Sequence, residues 1–553
     1  MTILRPTSDV HTVAPQVGST AGQLHGLTDE SLLNRLAGEF FALGASQAVQ
    51  VTPLPASQAV PLHPSTAAPL QPTLSSAGER LTRDAGDSVL DGLAEAALTD
   101  RVNAQSYGLP GQDQLQVWVK DLFIPRESAP VSHWDESRFL GTGVATPSFD
   151  IHAVRRDFPI LSERVNSKAL AWLDNAATTH KPQSVIDRIA YFYAKENSNI
   201  HRAAHELAAR ATDAYEAARS KAARFLGAAS PNEIVFVRGA TEAINLIAQT
   251  FGQQFIGEGD EIIVSLLEHH ANIVPWQQLA QQKGAKIRVI PVDDSGQILI
   301  DEYRKLLNSR TRLVAVTQVS NALGTVTPVA EIVALAHQAG VRVLVDGAQA
   351  VSHMRVNVQA LDADFYVFSG HKVFGPTGIG VVYGKAELLD QLPPWQGGGN
   401  MIADVTFERT LYQDAPARFE AGTGNIADAV GLGAAIDYVE SLGMENIAAY
   451  EHALLEYGTQ LLRGLPGLRL IGTAKEKASV LSFVLDGYAT EEVGKALNEE
   501  GIAVRSGHHC AQPILRRFGL EATVRPSLAF YNTTEEVDRL VSVVRRLACR
   551  RRL

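Results

Sequence analysis

Lys372 is the residue of this sequence whose setting most strongly suggests chemistry. It lies in the segment Asp364-Phe-Tyr-Val-Phe-Ser-Gly-His-Lys-Val-Phe-Gly, directly after an apolar run that predicts a buried strand and within a glycine-rich loop. In open α/β sheets, ligands bind outside the carboxyl ends of the strands. A loop lysine is more often a solvated charge, so its interpretation depends on the residues at the ends of the neighbouring strands.

Three other predicted strand ends carry side chains that suit a flat, phosphorylated ring. One strand is followed by Asp346 and Gln349, and a carboxylate there can pair with a protonated pyridine nitrogen. Gly239 permits a tight turn before a helix, so Thr241 lies where helix N-terminal amides bind phosphate. His269 follows a further strand and can lie against a ring or move protons near neutral pH.

The sequence contains two cysteines, Cys510 and Cys549. Two cysteines are too few for a disulfide framework, and their spacing does not indicate zinc. Cys510 lies in Arg505-Ser-Gly-His-His-Cys-Ala, where Arg505, His508 and His509 are predicted to provide cationic surroundings that favour the reactive thiolate. A buried structural cysteine is the alternative. Cys549 lies among arginines near the C-terminus, and we assign it no function.

Composition narrows the class of protein. The chain has 553 residues, enough for several cores, and its 45% apolar and 20% charged residues are ordinary for a soluble protein. A net charge of −11 argues against nucleic acid as a partner. We find no apolar run long enough to span a membrane and no secretory signal, so we expect a cytoplasmic protein without membrane contact.

Short apolar runs alternate with helical stretches from about residue 158 onward, which predicts an α/β fold with a mostly parallel sheet. The predicted strands are Glu233 to Val237, Glu261 to Leu266, Lys286 to Val292, Arg312 to Val319, Val341 to Val345 and Asp364 to Phe368. Their continuous apolar character predicts burial on both faces. After about Gly433 the order changes to a smaller α+β unit, with predicted strands at Ser479 to Leu485 and Ile502 to Arg505. We therefore predict a large domain at residues 151–432, whose N-terminal segment contributes to a small domain at residues 433–553.

Residues 1–150 have a different composition, with 12 of the 25 prolines. Such a segment buries too little apolar surface to offset its ordering entropy, so we predict a largely disordered extension. A short helical motif is predicted near residues 28–43, where Leu32, Leu36 and Phe40 recur at helical spacing. Apolar anchors on a polar tether are typical of linear binding motifs, although they could equally pack on the following domain.

The order phosphate loop, histidine, aspartate and lysine resembles the aminotransferase class V branch of the fold-type I pyridoxal-phosphate enzymes. Three further segments are similar to those of SUF-type, or group II, cysteine desulfurases: Trp172-Leu-Asp-Asn-Ala-Ala-Thr-Thr, Ser320-Asn-Ala-Leu-Gly-Thr and the Cys510 loop. The resemblance spans about residues 155 to 550. It implies a homodimer with shared active sites and pyridoxal 5'-phosphate as cofactor.

The resemblance also implies a role for each candidate residue. Lys372 would bind the cofactor covalently, with Asp346 at the pyridine nitrogen, Gln349 at the ring hydroxyl, His269 stacked on the ring, and Thr241, Ser369 and His371 at the phosphate. Arg525 would bind the substrate carboxylate with Asn321, Arg505 would contact substrate, Arg202 would lie near the entrance, and Thr423 would reach the phosphate of the neighbouring subunit. Gly424 stands where many relatives have proline, and Ser506 replaces a common threonine.

The implied reaction is the conversion of L-cysteine to L-alanine, with sulfur passing to Cys510 as a persulfide and then to an acceptor protein or small thiol. A selenocysteine lyase is the nearest alternative, and an aminotransferase would not need Cys510. An inactive paralogue would lack cofactor. The extension resembles those of cysteine desulfurases packaged in encapsulin shells, which predicts shell binding through residues 1–150. An alternative function from a different class is that of an interaction protein, in which the extension is a shell-binding module attached to a weakly active enzyme.

Overall fold

The computed structural model describes residues 150–200 and 205–550. The predicted extension, its helical motif near residues 28–43 and Arg202 lie outside these described residues. No helix within them is long and apolar enough to cross a membrane.

The strands are short and number seventeen in the described residues. They are β1 (Arg164–Val165), β2 (Lys168–Ala169), β3 (Ala171–Trp172), β4 (Ile234–Val237), β5 (Glu261–Ser265), β6 (Lys286–Ile290), β7 (Thr311–Thr317), β8 (Arg342–Asp346), β9 (Phe365–Ser369), β10 (Gly380–Gly384), β11 (Ile402–Val405), β12 (Thr410–Tyr412), β13 (Leu468–Leu470), β14 (Phe483–Leu485), β15 (Ile502–Ala503), β16 (Arg505–Gly507) and β17 (Thr523–Arg525).

The α-helices lie mostly between the strands, as the sequence pattern predicts. They are α1 (Ile151–Arg156), α2 (Gln183–Tyr191), α3 (Glu206–Leu226), α4 (Ala240–Ile247), α5 (Gln253–Phe255), α6 (Val274–Lys283), α7 (Ile300–Leu306), α8 (Val329–Gln338), α9 (Val358–Leu361), α10 (Ala386–Leu389), α11 (Ile426–Leu442), α12 (Met444–Arg463), α13 (Thr490–Glu499), α14 (Gln512–Arg517) and α15 (Thr534–Arg550).

The central sheet has seven strands in the order β4-β10-β9-β8-β7-β5-β6. The five strands from β9 to β6 are parallel, whereas β10 runs antiparallel to both of its neighbours. Apolar clusters cover both faces of this sheet. The predicted α/β class and mostly parallel sheet are therefore confirmed.

Two strand predictions require correction. Lys286 to Val292 was predicted to be buried on both faces, but β6 is the last strand of the sheet, and of its residues only Ile290 is buried. Polar residues at an edge face water, so Lys286 and Arg288 remain solvated. Ser479 to Leu485 forms a continuous strand only from Phe483 onward, and before it Val480 makes an isolated β-bridge with Ser527.

A second, four-stranded sheet has the order β13-β14-β17-β16. Beside it, β3 pairs in parallel with β15, with Ala171 opposite Ile502 and Trp172 opposite Ala503. Ala171 and Leu173 belong to the apolar cluster of this C-terminal region. The strand that precedes the Asn-Ala-Ala-Thr-Thr segment is thus held by residues more than 300 positions later. The domain boundaries themselves stay a prediction.

Candidate active site

A cavity of about 170 Å³ lies at the carboxyl ends of the central parallel strands. Thr317, Asp346 and Ser369, the last residues of β7, β8 and β9, all line it. Ten predicted site residues line this one cavity: Thr241, His269, Asn321, Asp346, Gln349, Ser369, His371, Lys372, Arg505 and Arg525. The cavity lining does not include Cys510 or Thr423, and Arg202 lies outside the described residues.

Lys372 ends a short 3-10 turn, Gly370–Lys372, that directly follows β9. Within the described residues, its ammonium group has no hydrogen-bond or salt-bridge partner. Burial lowers the pKa of Lys372 to about 8, and the cations Arg525 and Arg505 act in the same direction, against the carboxylate of Asp346. At neutral pH, a larger fraction of Lys372 is therefore the free amine than for a lysine of ordinary pKa. The free amine is the form that attacks a carbonyl.

Asp346 is a buried carboxylate at the end of β8. Its Oδ1 accepts a hydrogen bond from the backbone N–H of Ala348 at 3.0 Å. Burial raises its pKa, while Lys372 and this hydrogen bond oppose the shift. Gln349 lies one turn later, and its amide donates to the carbonyl oxygen of Ala176 at 2.6 Å. A buried acid without a salt bridge among the described residues suits a cationic ring nitrogen.

His269 lies at the start of the turn that follows β5, and its Nδ1 accepts a hydrogen bond from the backbone N–H of Ala271 at 3.0 Å. This contact leaves Nε2 as the protonated nitrogen of a neutral ring. Burial, together with Lys372 and His270, lowers the pKa of His269 to about 3. The ring is therefore uncharged at neutral pH, as stacking on an aromatic ligand requires.

Sequence reasoning missed Glu268, although it stands in the same Leu-Glu-His-His segment. Its fully buried carboxyl accepts hydrogen bonds from Ser265 Oγ at 2.5 Å, Thr317 N at 3.1 Å and Asn272 Nδ2 at 2.7 Å. Burial raises its pKa to about 8. Because Ser265 ends β5 and Thr317 ends β7, Glu268 ties two strand ends together beside His269.

Two residues at the N-terminus of α4, Ala240 and Thr241, line the cavity. Thr241 is in the first turn of this helix, and the backbone N–H of Ala240 donates to Ser369 Oγ at 2.9 Å. A Cβ on Gly380 would lie 2.5 Å from the Cα of Gly239, so glycine lets β10 pack directly on the turn. Backbone amides at a helix N-terminus attract anions.

His371 also lines the cavity and has no charge of its own at neutral pH. Burial, with Lys372 and Lys181, lowers its pKa to about 4. Its carbonyl oxygen accepts from the backbone N–H of Thr179 at 2.9 Å and from Thr178 Oγ1 at 3.0 Å. These bonds attach the lysine-bearing turn to the Asn-Ala-Ala-Thr-Thr segment.

Arg525 is a buried guanidinium at the end of β17. Its Nη2 forms a salt bridge with Asp174 Oδ1 at 2.9 Å, and its Nη1 donates to the carbonyl oxygen of Asn321 at 2.9 Å. Arg505 lies opposite it on β16 and lowers its pKa, as burial does more strongly. One carboxylate therefore faces two arginines, which leaves positive charge for an anionic group of a ligand. Asp174 is a further residue that sequence reasoning missed, although it stands in the Trp172-Leu-Asp segment.

Three buried side-chain atoms without hydrogen-bond partners in the described part of the chain belong to residues of the cavity. Among the described residues, Arg525 Nε, Asn321 Oδ1 and His509 Nδ1 are buried and lack a hydrogen-bond partner. All three belong to residues that line the cavity. Buried polar groups are ordinarily hydrogen-bonded, so these three atoms are available to a ligand in the cavity.

The Cys510 loop is tightly constrained. His509 and Cys510 both have left-handed backbone conformations, with φ values of 53° and 56°, which cost non-glycine residues about 1–2 kcal/mol each. Asn321 Nδ2 donates to the carbonyl oxygen of His509 at 2.7 Å, and His270 N donates to that of Cys510 at 2.8 Å. Cys510 is partly buried and has no disulfide partner within the described residues.

One expectation for this loop is wrong. His509 was expected to supply positive charge, but its ring is buried and its Nε2 lies 2.9 Å from Thr523 Oγ1. Burial and the nearby arginines lower its pKa to about 2, so the ring is neutral. His509 anchors the loop, and Arg505 is the neighbouring permanent cation. Cys549 is exposed on α15.

Thr423 lies apart from the Lys372 cavity in this chain. Its Oγ1 is 3.5 Å from Asn199 Oδ1, and it lines a different cavity together with Phe192 and Asn425. The family resemblance implies that Thr423 serves the neighbouring subunit, and that role stays a prediction.

Residues 171–540 match the family described as aminotransferase class-V. The chain belongs to this family. It is 70% identical over 399 residues to a cysteine desulfurase of Synechococcus elongatus, covering 72% of this chain and 64% of that protein. It is 52% identical over 400 residues to a cysteine desulfurase of Dickeya dadantii, and this match covers 72% of this chain and 97% of that protein. The chain thus spans less than two thirds of the first relative.

A solved structure of the Escherichia coli cysteine desulfurase CsdA is similar in fold, with a TM-score of 0.68 and 41% identity over 73% of this chain and 99% of that one. Family membership makes pyridoxal 5'-phosphate the cofactor, and the cavity fits it. An uncharged imidazole, a buried acid, an amine without a partner and a helix N-terminus surround one space.

Proposed function

We propose that the chain is a cysteine desulfurase, which converts L-cysteine to L-alanine and takes the sulfur onto Cys510. The observation that carries this proposal is the joint position of three groups. Cys510 is partly buried and directly follows His509, which lines the same cavity as Lys372 and Arg525. An aminotransferase would need the lysine and the arginine but not the thiol.

The bound cofactor supplies an electron sink that weakens the bonds around the substrate α-carbon. Arg525 binds the substrate carboxylate, with Asn321 beside it, and Asp174 holds the guanidinium in place. Lys372 moves protons at the α-carbon and β-carbon, because its pKa of about 8 lets it both accept and release a proton near neutral pH.

Cys510 is the sulfur acceptor of the reaction. Its thiolate attacks the substrate sulfur, an S–S bond forms as the Cβ–S bond breaks, and the bonding electron pair leaves with carbon, which takes a proton. The products are L-alanine and a persulfide on Cys510, so the step needs no external oxidant. An acceptor protein or a small thiol then removes the outer sulfur.

Finer assignments belong to the same proposal. The Arg505-Ser-Gly-His-His-Cys loop and the Asn321 segment favour the SUF-type, or group II, subfamily. A homodimer in which Thr423 reaches the partner's phosphate site, and an entrance role for Arg202, are implied by that resemblance. We also propose a large domain at residues 151–432 and a small domain at residues 433–553, with a cytoplasmic location.

Alanine release from L-cysteine tests the activity. Cofactor-loaded protein is assayed with reductant, and Cys510→Ala is compared with Cys549→Ala, a matched control at an exposed cysteine. We expect Cys510→Ala to abolish alanine release and Cys549→Ala to keep it. Release that persists in Cys510→Ala refutes the persulfide route. Activity on L-selenocysteine alone, independent of Cys510, would make the chain a selenocysteine lyase.

The N-terminal extension supports a second, separate proposal, that residues 1–150 direct the enzyme into an encapsulin nanocompartment. Its apolar motif near residues 28–43 on a proline-rich tether carries this proposal. Co-expression with a shell protein, with and without residues 1–150, tests it by the amount of enzyme that copurifies with assembled shells. Equal loading of both forms contradicts it.

A further inference from the structure

A second cavity, of about 250 Å³, lies in the C-terminal region between α12 and the segment after β13. It shares no lining residue with the cavity that holds Lys372. Leu455 and Leu481 form part of its wall, and Lys477 lines it from within. The desulfurase chemistry of the Lys372 cavity does not use it.

Lys477 is the residue that makes this cavity unusual. Its ammonium group donates one hydrogen bond, to the carbonyl oxygen of Gly472. In the part of the chain that the structure describes, it has no acidic partner. Burial lowers its pKa to about 8, so it still carries a proton at neutral pH. An ammonium has three donors, and two of them are left for a ligand. Lys477 is partly buried, and a cation that loses hydration without gaining a counterion is costly.

The rim of the cavity is also cationic. Arg463 and Lys475 are exposed at its edge together with His452, and Glu456 is the one acidic residue of the lining. No ion pair involving these side chains occurs within residues 150–200 and 205–550. Solvated rim charges alone are ordinary on a protein surface. Here, however, Arg463 and Lys475 line the same cavity as Lys477, which has no acidic partner among the described residues. Such a group of cations is unusual in a chain of net charge −11.

We propose that this cavity binds a small anion with a phosphate or carboxylate group, with Lys477 as the inner ligand and Arg463 and Lys475 at the rim. Cationic donors bind such anions through charge-assisted hydrogen bonds, which are about twice as strong as neutral ones. A cavity of about 250 Å³ can hold a small molecule.

The site lies beside the loop that carries Asn321. The backbone N–H of Ala478 donates to the carbonyl oxygen of Gly324 at 2.8 Å, and Thr325 and Lys477 form an isolated β-bridge. The segment that contains Lys477 is therefore bonded directly to the loop that carries Asn321. The contact is made at Gly324 and Thr325, a few positions after Asn321 in the chain.

Isothermal titration of the cofactor-loaded protein with inorganic phosphate, and separately with acetate, tests the proposal. Lys477→Met is compared with Lys495→Met, a matched change at an exposed lysine of α13. We expect wild type and Lys495→Met to bind at least one of the two anions, and Lys477→Met to bind it about tenfold or more weakly. The anion that shows this dependence identifies the ligand class.

A second variant covers the case in which Lys477→Met does not fold. The double substitution of Arg463 and Lys475 by alanine changes only exposed side chains and should weaken the same binding severalfold. Failure of wild type to bind either anion overturns the proposal. Binding that none of these substitutions changes overturns it as well, because that binding would belong to another site, such as Arg525.

Discussion

Cofactor-free protein should load pyridoxal 5'-phosphate with a pH dependence set by Lys372. The attacking form is the free amine. An amine with the ordinary pKa of 10.5 is unprotonated in about 0.03% of molecules at pH 7, whereas a pKa of about 8 gives about 9%, a gain of about 300-fold. The loading rate should therefore rise about tenfold per pH unit below pH 8 and level off above it.

The sign of each contribution can be tested by removing a neighbouring charge. Arg505 lowers the pKa of Lys372, so Arg505→Met should move the inflection to higher pH. Asp346 raises the pKa, so Asp346→Asn should move it to lower pH. The rate is measured by stopped-flow absorbance as the aldehyde is consumed, and Lys372→Arg serves as the control that gives no covalent signal. A wild-type rate that keeps rising to pH 10 would refute the reasoning, because it would mean an ordinary lysine.

Three substitutions test the supports of the site by urea denaturation. Glu268→Ala leaves three buried donors without an acceptor and should lower the free energy of unfolding by about 3–5 kcal/mol. Asp174→Ala leaves buried Arg525 without its counterion, should cost about 2–4 kcal/mol, and should raise KM for L-cysteine. Gly347→Ala would place a Cβ 2.0 Å from a buried tyrosine hydroxyl and should cost about 1–3 kcal/mol, whereas Gly397→Ala, in open space, should cost less than about 0.5 kcal/mol.

Matched controls separate these effects from the general cost of mutation. Glu521 forms an exposed ion pair with Arg516, so Glu521→Ala should change stability by less than about 1 kcal/mol. If Asp174→Ala costs no more than Glu521→Ala, the buried salt bridge is not what holds Arg525. Unchanged stability in Glu268→Ala would likewise contradict the view that this acid ties β5 to β7.

The strand ends were the part of the site that sequence could predict, because a parallel sheet places the carboxyl ends of its strands at one edge. Asp346, Ser369 and Lys372 obey that rule and do meet in one cavity. The supporting acids Asp174 and Glu268 were missed for a physical reason. Their roles depend on partners that fold beside them, and in a linear sequence each is only one carboxylate among 60 acidic residues.

Two features other than the strand ends were harder to predict. β10 is a short apolar run with glycine at both ends, and its local pattern gives no sign that it inserts antiparallel between β4 and β9. His509 looked like a cation because its neighbours are polar. Its burial, which removes the charge, depends on the contact with Thr523 across the small sheet.

The salt bridge between Asp174 and Arg525 joins residues 351 positions apart, and this separation has a consequence for synthesis. Ribosomes extend chains at about 5–20 residues per second, so roughly 20 to 70 seconds pass between the emergence of the two partners. During that interval the apolar strand around Ala171 and Leu173 has no strand to pair with, since β15 is also still to come. The nascent chain is thus exposed to aggregation until its last tenth appears, and we expect chaperones that shield apolar segments to raise the yield of folded enzyme.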